Sequence, residues 1–496
     1  MQEQLPEAML TSMKYLSALF LIFFSLGLPV IVKAQERPNY SGFYDGIRSM
    51  VAADSSSKLH VVSITVSGNK KTKTYIILRE IRFKSGDSVS ASRLYEILEQ
   101  SRDLIYNTNL FSEVAVIPLI TTGSDISINV IVKEKWYIYP TPQFKLVDRN
   151  LNEWINTYNA DLNRVIYGAK FAHYNLSGRG DQLRIYLLSG YARTIAASYT
   201  APYSNSALTE GFSVSGGYTQ SREVQYKTSY DNKLLLFKAD GFARNTLSLA
   251  ASYQLRRGYF RKHIFSLGYN YADISDSIID PKYNPTYFNG DKAYASYPEM
   301  SYTFQYTNTD NINYPLKGKI FGGTILKRGL GLTGGINSVN IEARYSRYIP
   351  HSRNWNSSFQ FNANVKAPFK TAYINQKAFG YSDLYLRGLE YYVIDGVLST
   401  LAKYTIKKKI ISFNIPVPFH IKAIPSIPFT IFAKTYADAG YVYNRKELDT
   451  RLNNRFLYST GFGIDILTLY DLNFKLEYSF NQLGENGLFL HAKGGF

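Results

Sequence analysis

The chain has 496 residues, a formal net charge of +18 and no cysteine, which excludes disulfides, zinc–thiolate sites, a cysteine nucleophile and a lipidated N-terminal cysteine. Its mean hydropathy of -0.20 excludes a bundle of membrane-spanning helices, because each such helix needs about 20 consecutive apolar residues. Abundant tyrosine (43) and glycine (34) at this hydropathy favour a membrane β-barrel, in which only every second residue of a strand meets lipid. The basic residues are spread along the chain and indicate solvated turns, a basic lumen or contact with anionic lipid headgroups rather than nucleic-acid binding.

Residues 1–34 have the pattern of a secretory signal peptide. Lys14 precedes an apolar core over residues 15–28, and the small residue Ala34 stands directly before Gln35. A charged start, an apolar core and a small residue at the cleavage site mark a segment that is removed on export, with a membrane anchor as the alternative. We therefore predict an exported chain with a linker over residues 35–58.

The next region, residues 59–136, combines strand-like and helix-like patterns. It contains one strand that ends at a Gly-Asn turn, two helices and two further strands, at residues 60–69, 73–81, 91–105, 113–119 and 125–136. The order βααββ predicts one small α+β domain.

Two motifs in this region resemble those of the POTRA domain, the periplasmic module of the BamA/TamA superfamily of outer-membrane insertases. They are Val66–Asn69 at the end of the first strand and Asn107–Val114 after the second helix. Asn109 stands where the family has glycine, and asparagine also tolerates the left-handed conformation that ends a helix. The resemblance implies a POTRA-like domain over residues 59–136 that binds unfolded polypeptide by adding a strand to its sheet edge. Some other small α+β domain is the alternative.

Residues 137–496 contain segments in which apolar and polar residues alternate strictly, such as 247–255, 358–366 and 472–480. A period of two places the two sets on opposite faces of a strand, one suited to lipid and the other to a wet lumen. Such a sheet must close, because hydrocarbon cannot satisfy an open edge. At about 20–24 residues per strand and turn, and with even numbers usual, we predict an all-β transmembrane barrel of about 16 antiparallel strands after the small α+β domain. A large secreted sandwich or propeller is the soluble alternative.

The last predicted strand lies at the C-terminus, where Leu488, Leu490 and Phe496 share one face. A terminal aromatic residue on an alternating strand resembles the signal that outer-membrane barrels present to the assembly machinery. On the alternative interpretation, Phe496 is an ordinary aromatic residue of the membrane interface.

Four stretches of the predicted barrel, at residues 174–180, 310–318, 386–391 and 436–440, resemble further motifs of the same superfamily. In that family a long extracellular loop folds back into the lumen, and its arginine meets an aspartate of the inner wall.

Carried over residue by residue, this pair is Arg387 and Asp438. The resemblance further implies that Gly388 allows close passage of the loop and that Gly440 leaves room on the wall. Leu389 departs from the usual aromatic residue, and Tyr391 or Tyr392 is expected to supply the missing ring. A guanidinium fork suits a carboxylate geometrically, although two unrelated lumen charges are the alternative.

The sequence lacks a Gly-x-Ser-x-Gly elbow, a His-Glu-x-x-His pair and a P-loop, and we predict no enzymatic activity, no cofactor and no metal site. The resemblance implies a barrel in a bacterial outer membrane with its POTRA-like domain in the periplasm. The implied partners are outer-membrane lipids, unfolded polypeptide clients and periplasmic or lipoprotein accessory factors. The leading hypothesis is a protein insertase or translocase. A passive or gated channel and a structural surface antigen are the alternatives.

Overall fold

The computed structural model describes residues 57–147, 154–155, 158–290, 292–331, 336–417, 426–445 and 450–493. The predicted signal peptide, nearly all of the predicted linker and Phe496 lie outside the described residues. Within the described ranges, no helix combines the length and the apolar character needed to cross a bilayer.

The small domain is a four-stranded sheet packed against two helices. Its elements are β1 (Lys58–Ser67), α1 (Thr74–Leu78), β2 (Ser88–Ser90), α2 (Ala91–Tyr106), β3 (Phe111–Thr122) and β4 (Asp125–Glu134). The strands lie in the order β2-β1-β4-β3, and β1 is parallel to β4. The predicted βααββ order is confirmed, whereas β2 is not predicted because three residues are too few to show a period.

The core of this domain follows from the spacing of apolar residues on α2. Leu94, Leu98 and Ile105 are four and seven residues apart and therefore lie on one face of the helix. All three are buried, in one cluster with Leu59 of β1 and Ile126 of β4. Burial of this face against the sheet holds the domain together.

The larger sheet has 16 antiparallel strands, and the predicted number is confirmed. The strands after the small domain are β5 (Ile138–Leu146), β6 (Val165–His173), β7 (Gln182–Gly190), β8 (Ala192–Ala201), β9 (Glu210–Ser221), β10 (Glu223–Thr228), β11 (Leu234–Lys238), β12 (Arg244–Arg257), β13 (Arg261–Ile274), β14 (Tyr294–Thr309), β15 (Gly318–Arg328), β16 (Ser338–Pro350), β17 (Trp355–Ala367), β18 (Lys377–Phe379), β19 (Ile394–Asp395), β20 (Leu398–Pro416), β21 (Ser426–Tyr443), β22 (Phe456–Leu467), β23 (Asn473–Asn481) and β24 (Asn486–Lys493). The sheet follows chain order from β5 to β24, and the hairpins β10–β11 and β18–β19 stand outside it.

The two faces of the barrel strands differ in the way that the period of two predicts. Leu249 and Tyr253 of β12 are 49% and 43% exposed, so apolar groups cover the outside. Glu477 and Ser479 of β23 are buried, on the face that points inward. An apolar outer face and a polar inner face are the arrangement that a barrel in lipid requires.

The first and last strands form a seam in this sheet. β5 pairs with β6 along its whole length, from Ile138 opposite His173 to Leu146 opposite Val165. β24 pairs with β23 along the edge that faces away from the seam. Among the described residues, no ladder joins β5 to β24. Because each proline lacks an N–H donor, the two prolines of β5, Pro140 and Pro142, suit an edge strand.

The small domain covers one end of the barrel, which we call the domain end. It contacts the turns that follow β6, β8, β12, β14 and β22. The backbone N–H of Lys73 donates a hydrogen bond to Gly178 O at 2.9 Å. The hydroxyl of Tyr106 donates to Asp471 Oδ1 at 3.0 Å. Contacts with turns on several sides of the ring place the domain across the mouth.

The opposite end, which we call the far end, is covered by folded loops. The buried side chain of Asn232, between β10 and β11, donates through Nδ2 to Val393 O at 2.9 Å and to Thr450 Oγ1 at 2.8 Å. Tyr287 and Tyr373 from two other connections belong to one buried apolar cluster beside it. These contacts make the far-end loops a packed cap.

Candidate functional site

The connection between β17 and β20 returns into the barrel as a lumen loop, defined here as residues 384–392. A turn shapes it, because the backbone N–H of Leu389 donates to Leu386 O at 3.1 Å. Gly388 lies within this turn with a φ of +87°, which L side chains rarely adopt. A Cβ atom at this position would lie 2.9 Å from Cβ of Ser479 on the wall. The loop therefore needs glycine here both for its conformation and for its close approach.

The structure brings Arg387 and Asp438 together. Arg387 donates from Nε to Asp438 Oδ2 at 2.9 Å and from Nη2 to Oδ1 at 2.5 Å, and its backbone N–H also donates to Oδ2 at 3.1 Å. The two residues are 7% and 3% exposed. A bidentate, charge-assisted pair of this kind is the strong form of an ion pair. When such a pair is buried, loss of one partner leaves an uncompensated charge.

The guanidinium of Arg387 has further partners on the wall. Its carbon lies 3.9 Å from the centre of the Tyr436 ring, which is a cation–π geometry. Nη1 donates to Thr405 Oγ1 at 3.1 Å and lies 3.8 Å from Glu477 Oε1. Through this one side chain the loop is attached to three wall strands, β20, β21 and β23.

The apolar side of the loop packs beside this pair. A Cβ atom on Gly440 would lie 3.1 Å from Leu386 Cδ1 and 3.2 Å from Phe379 Cε2, so the wall leaves room for these two side chains. Leu389 is 3% exposed and shares a buried cluster with Tyr392. Of the two tyrosines considered for the missing ring, Tyr392 is the buried member of this cluster.

A network of buried charges continues along the inner wall, and the sequence does not predict it. Lys434 Nζ donates to Glu477 Oε1 at 2.5 Å and also to Asp465. Lys407 Nζ lies 2.9 Å from Asp465 Oδ2. Buried charges persist only when they are paired, and these groups compensate one another. The sequence feature that could have revealed this network is the recurrence of charged residues at even spacing on the polar faces of β20, β21 and β23.

The predicted C-terminal strand signal is described in part. Leu488 and Leu490 of β24 are 59% and 70% exposed on the outer face. Phe489 between them points inward, and its ring centre lies 5.4 Å from that of Tyr391 in the lumen loop. The last strand therefore offers apolar groups to lipid on one side and contacts the loop on the other.

A second buried ion pair attaches the small domain to the barrel, and the sequence does not predict it either. Arg256 of β12 donates to both carboxylate oxygens of Glu80, at 2.5 and 2.6 Å. Tyr203 donates to the same carboxylate at 3.0 Å, and burial raises the pKa of this phenol. Glu80 is 1% exposed. We expect this pair to fix the position of the small domain across the mouth.

The fold and these contacts define a class: an outer-membrane β-barrel with an inserted lumen loop and a periplasmic domain. The sequence matches the family model described as Omp85 superfamily domain over residues 175–481 and the POTRA model, described as surface antigen variable number repeat, over residues 59–135. The chain belongs to the Omp85 superfamily. This superfamily carries out insertion or secretion of proteins at the outer membrane, and its members are transporters or insertases rather than enzymes. The domain end is therefore periplasmic and the far end is extracellular.

Several solved structures are similar to the chain at low identity. BamA from Haemophilus ducreyi lacking POTRA domains 1–3 has a TM-score of 0.48 and 15% identity, with 88% of this chain and 84% of that chain covered. CdiB from Escherichia coli has a TM-score of 0.44 and 10% identity, with coverage of 93% and 98%. CdiB from Acinetobacter baumannii has a TM-score of 0.42 and 12% identity, with coverage of 86% and 71%. No curated protein matches the sequence.

Proposed function

We propose that this protein inserts polypeptides into the outer membrane. The POTRA domain binds an unfolded segment of a client, and the barrel releases the client sideways into lipid between β5 and β24. The observation that carries this proposal is the seam, because all other neighbouring strands of the sheet are hydrogen-bonded while β5 and β24 are not paired among the described residues.

The chemistry of the seam favours exchange with a client strand. Unpaired backbone groups in hydrocarbon cost several kcal/mol each, so an open edge takes up any strand that can pair with it. Pro140 and Pro142 contribute no N–H, and a ladder between β5 and β24 would therefore lack donors. A client strand that reaches this edge therefore competes with weak pairing between β5 and β24 rather than with a complete hydrogen-bonded ladder.

The POTRA domain offers a second edge on the periplasmic side. β3 is the outermost strand of its sheet and is 12 residues long. Leu119 and Ile120 near its end are 44% and 45% exposed. Exposed apolar groups on a free edge suit an extended polypeptide that binds by main-chain hydrogen bonds with little dependence on its sequence.

Closure of both mouths supports release to the side over passage through the pore. The POTRA domain lies across the periplasmic mouth, and the packed loops cover the extracellular one. The lumen loop, fixed by Arg387 and Asp438, occupies the space between them. We infer that these two residues position the loop against the wall, with Gly388 and Gly440 making room for it.

The test is a disulfide across the seam. The chain has no native cysteine, so pairs of cysteines placed along β5 and β24 would be the only thiols present. Thr303 and Thr324, which face each other on β14 and β15, provide a control pair within a complete ladder. Client assembly is followed by quantitative proteomics of the outer membrane in cells that depend on each variant.

The expected result is loss of assembly in the oxidised seam variant, recovery on reduction and full function of the control pair. Undiminished assembly with the seam closed would refute lateral release. Secretion would be supported instead if client proteins then reached the medium at normal levels.

A passive channel is the second function to be tested. A cavity of about 610 Å³, lined in part by Arg164, Glu223 and Arg244, lies beside the barrel wall towards the extracellular cap. Since both mouths are covered, we expect purified protein to give no steady conductance in a planar bilayer. Large currents that persist after deletion of residues 59–136 would favour a channel over an insertase.

A further inference from the structure

Three potential metal ligands from separate segments meet at the seam side of the lumen loop. They are Glu390 of the loop, Glu477 of β23 and His491 of β24, and their ligand atoms lie within 4.8 Å of one another. His491 Nε2 lies 3.5 Å from Glu390 Oε1 and 3.5 Å from Glu477 Oε2. Ligands of a tetrahedral zinc ion with bonds of about 2.0–2.1 Å are roughly 3.4 Å apart. The spacing therefore suits one small divalent ion.

The two carboxylates are oriented by partners on their other oxygens. The backbone N–H of Gly388 donates to Glu390 Oε2 at 2.6 Å, and Lys434 donates to Glu477 Oε1 at 2.5 Å. This leaves Oε1 of Glu390 and Oε2 of Glu477 facing His491. Oε1 of Glu390 is buried and has no hydrogen-bond partner in the described part of the chain. A buried carboxylate oxygen without a partner is costly, and a bound cation would satisfy it.

Tyr385 packs against the imidazole of His491. Its hydroxyl oxygen lies 3.3 Å from Nδ1 and 3.5 Å from Nε2. The Tyr385 ring also stacks on the imidazole with 5.3 Å between the centres. This packing holds the ring with Nε2 towards the two carboxylate oxygens, at 3.5 Å from each.

We propose that Glu390, Glu477 and His491 bind one Zn²⁺, with water at the fourth position. Nitrogen and carboxylate oxygen are ligands that Zn²⁺ accepts, and three protein ligands leave an open position. The ion joins the lumen loop to β24, the strand that borders the seam, and so couples the anchoring of the loop to the closing edge. The sequence predicts no metal site because the three ligands show no motif spacing.

The experiment measures zinc binding to the full-length folded protein in detergent. Metal is removed with a chelator, and Zn²⁺ is then titrated by calorimetry and counted by elemental analysis after dialysis. The expected result is one retained Zn²⁺ per wild-type chain. We expect Glu390→Gln and His491→Ala each to weaken binding more than about 100-fold, and the orienting-partner variant Tyr385→Phe to weaken it about 10-fold.

The matched control is His351→Ala. His351 lies in the periplasmic turn between β16 and β17, where its Nε2 hydrogen-bonds to Ser357 Oγ at 2.7 Å. This variant should bind Zn²⁺ as the wild type does. Folding of every variant is checked by the mobility shift of unheated samples in gels, and Co²⁺ serves as a second probe through the visible spectrum of a tetrahedral site.

Two results would overturn the proposal. One is a folded wild-type protein that retains no Zn²⁺ and gives no tetrahedral Co²⁺ spectrum. The other is zinc binding that His491→Ala and Glu390→Gln leave unchanged.

Discussion

Replacement of Asp438 by asparagine should release the lumen loop. Asparagine keeps the shape of the side chain and removes its charge, so Arg387 loses both charge-assisted bonds to the carboxylate. The guanidinium keeps Thr405 and a longer contact with Glu477 at 3.8 Å. The remaining environment is buried, and the guanidinium has to be hydrated again for the charge to be satisfied.

The magnitude follows from the burial of the pair. Removal of one partner of a buried ion pair costs about 3–5 kcal/mol. Because Glu477 and Thr405 retain part of the interaction, we take the lower end, about 3 kcal/mol for the docked loop. Since about 1.4 kcal/mol corresponds to a factor of ten, the population of undocked loop should rise roughly 100-fold.

The assay is the labelling of one cysteine that is hidden when the loop is docked. Leu389 is 3% exposed, and Leu389→Cys introduces the only thiol of the chain. If the loop closes faster than the reagent reacts, the labelling rate reports the undocked population. Asp438→Asn should raise that rate roughly 100-fold relative to the Leu389→Cys protein alone.

The control is Asp273→Asn in the same cysteine background. Asp273 is a carboxylate of the barrel wall that accepts a hydrogen bond from Asn245 at 2.7 Å. Within the described ranges it has no hydrogen bond or ion pair with the lumen loop. This variant should leave the labelling rate unchanged. If Asp438→Asn changes the rate by less than about twofold while the protein remains folded, the ion pair does not hold the loop.

Three further predictions concern the POTRA domain and the lumen loop. Glu80→Gln should free the POTRA domain, because Arg256 keeps its buried charge without a carboxylate. The distances between domain and barrel measured by pulsed electron paramagnetic resonance should then broaden. Lys317→Ala removes only an exposed 3.5 Å ion pair with the domain and should leave these distances unchanged. Burial raises the pKa of Asp103 on α2 to about 7, whereas a value of 3.8 is expected when the chain is unfolded. This group should therefore stabilise the folded state below pH 3.8 and lose its contribution as the pH rises to 7. Asp103→Asn should remove this part of the pH dependence in thermal unfolding, and identical pH profiles would contradict it. Gly388→Ala should increase labelling of the hidden cysteine at least about tenfold, because strain of about 1–3 kcal/mol adds to a contact with the wall. Gly86→Ala, at a similar φ of +92° with open space around it in the small domain, should leave the labelling unchanged.

The sequence predicts those parts of the fold in which the spacing of apolar residues repeats along a single strand or helix. Lipid on one side of every strand imposes a period of two, which identifies the barrel and its 16 strands. The face of α2 carrying Leu94 and Leu98 is visible for the same reason. By contrast, β2 and the hairpins β10–β11 and β18–β19 are short and irregular in pattern, and their positions depend on contacts with distant loops.

Site residues divide in the same way. Arg387 and Asp438 are predicted because short motifs around both of them resemble one family, and not from their spacing. Glu80 and Arg256 belong to no such motif, and their pairing depends on the docking of one domain onto another. The ligands Glu390 and His491 are likewise brought together only when the loop enters the barrel and β24 closes beside it.

The most direct test of protein insertion is depletion of this chain in its native cells, followed by quantitative proteomics of outer membrane, periplasm and medium. We expect a defined set of membrane-embedded proteins to decrease in the outer membrane, while their unfolded forms collect in the periplasm. An outer-membrane protein content that stays unchanged after complete depletion would contradict it.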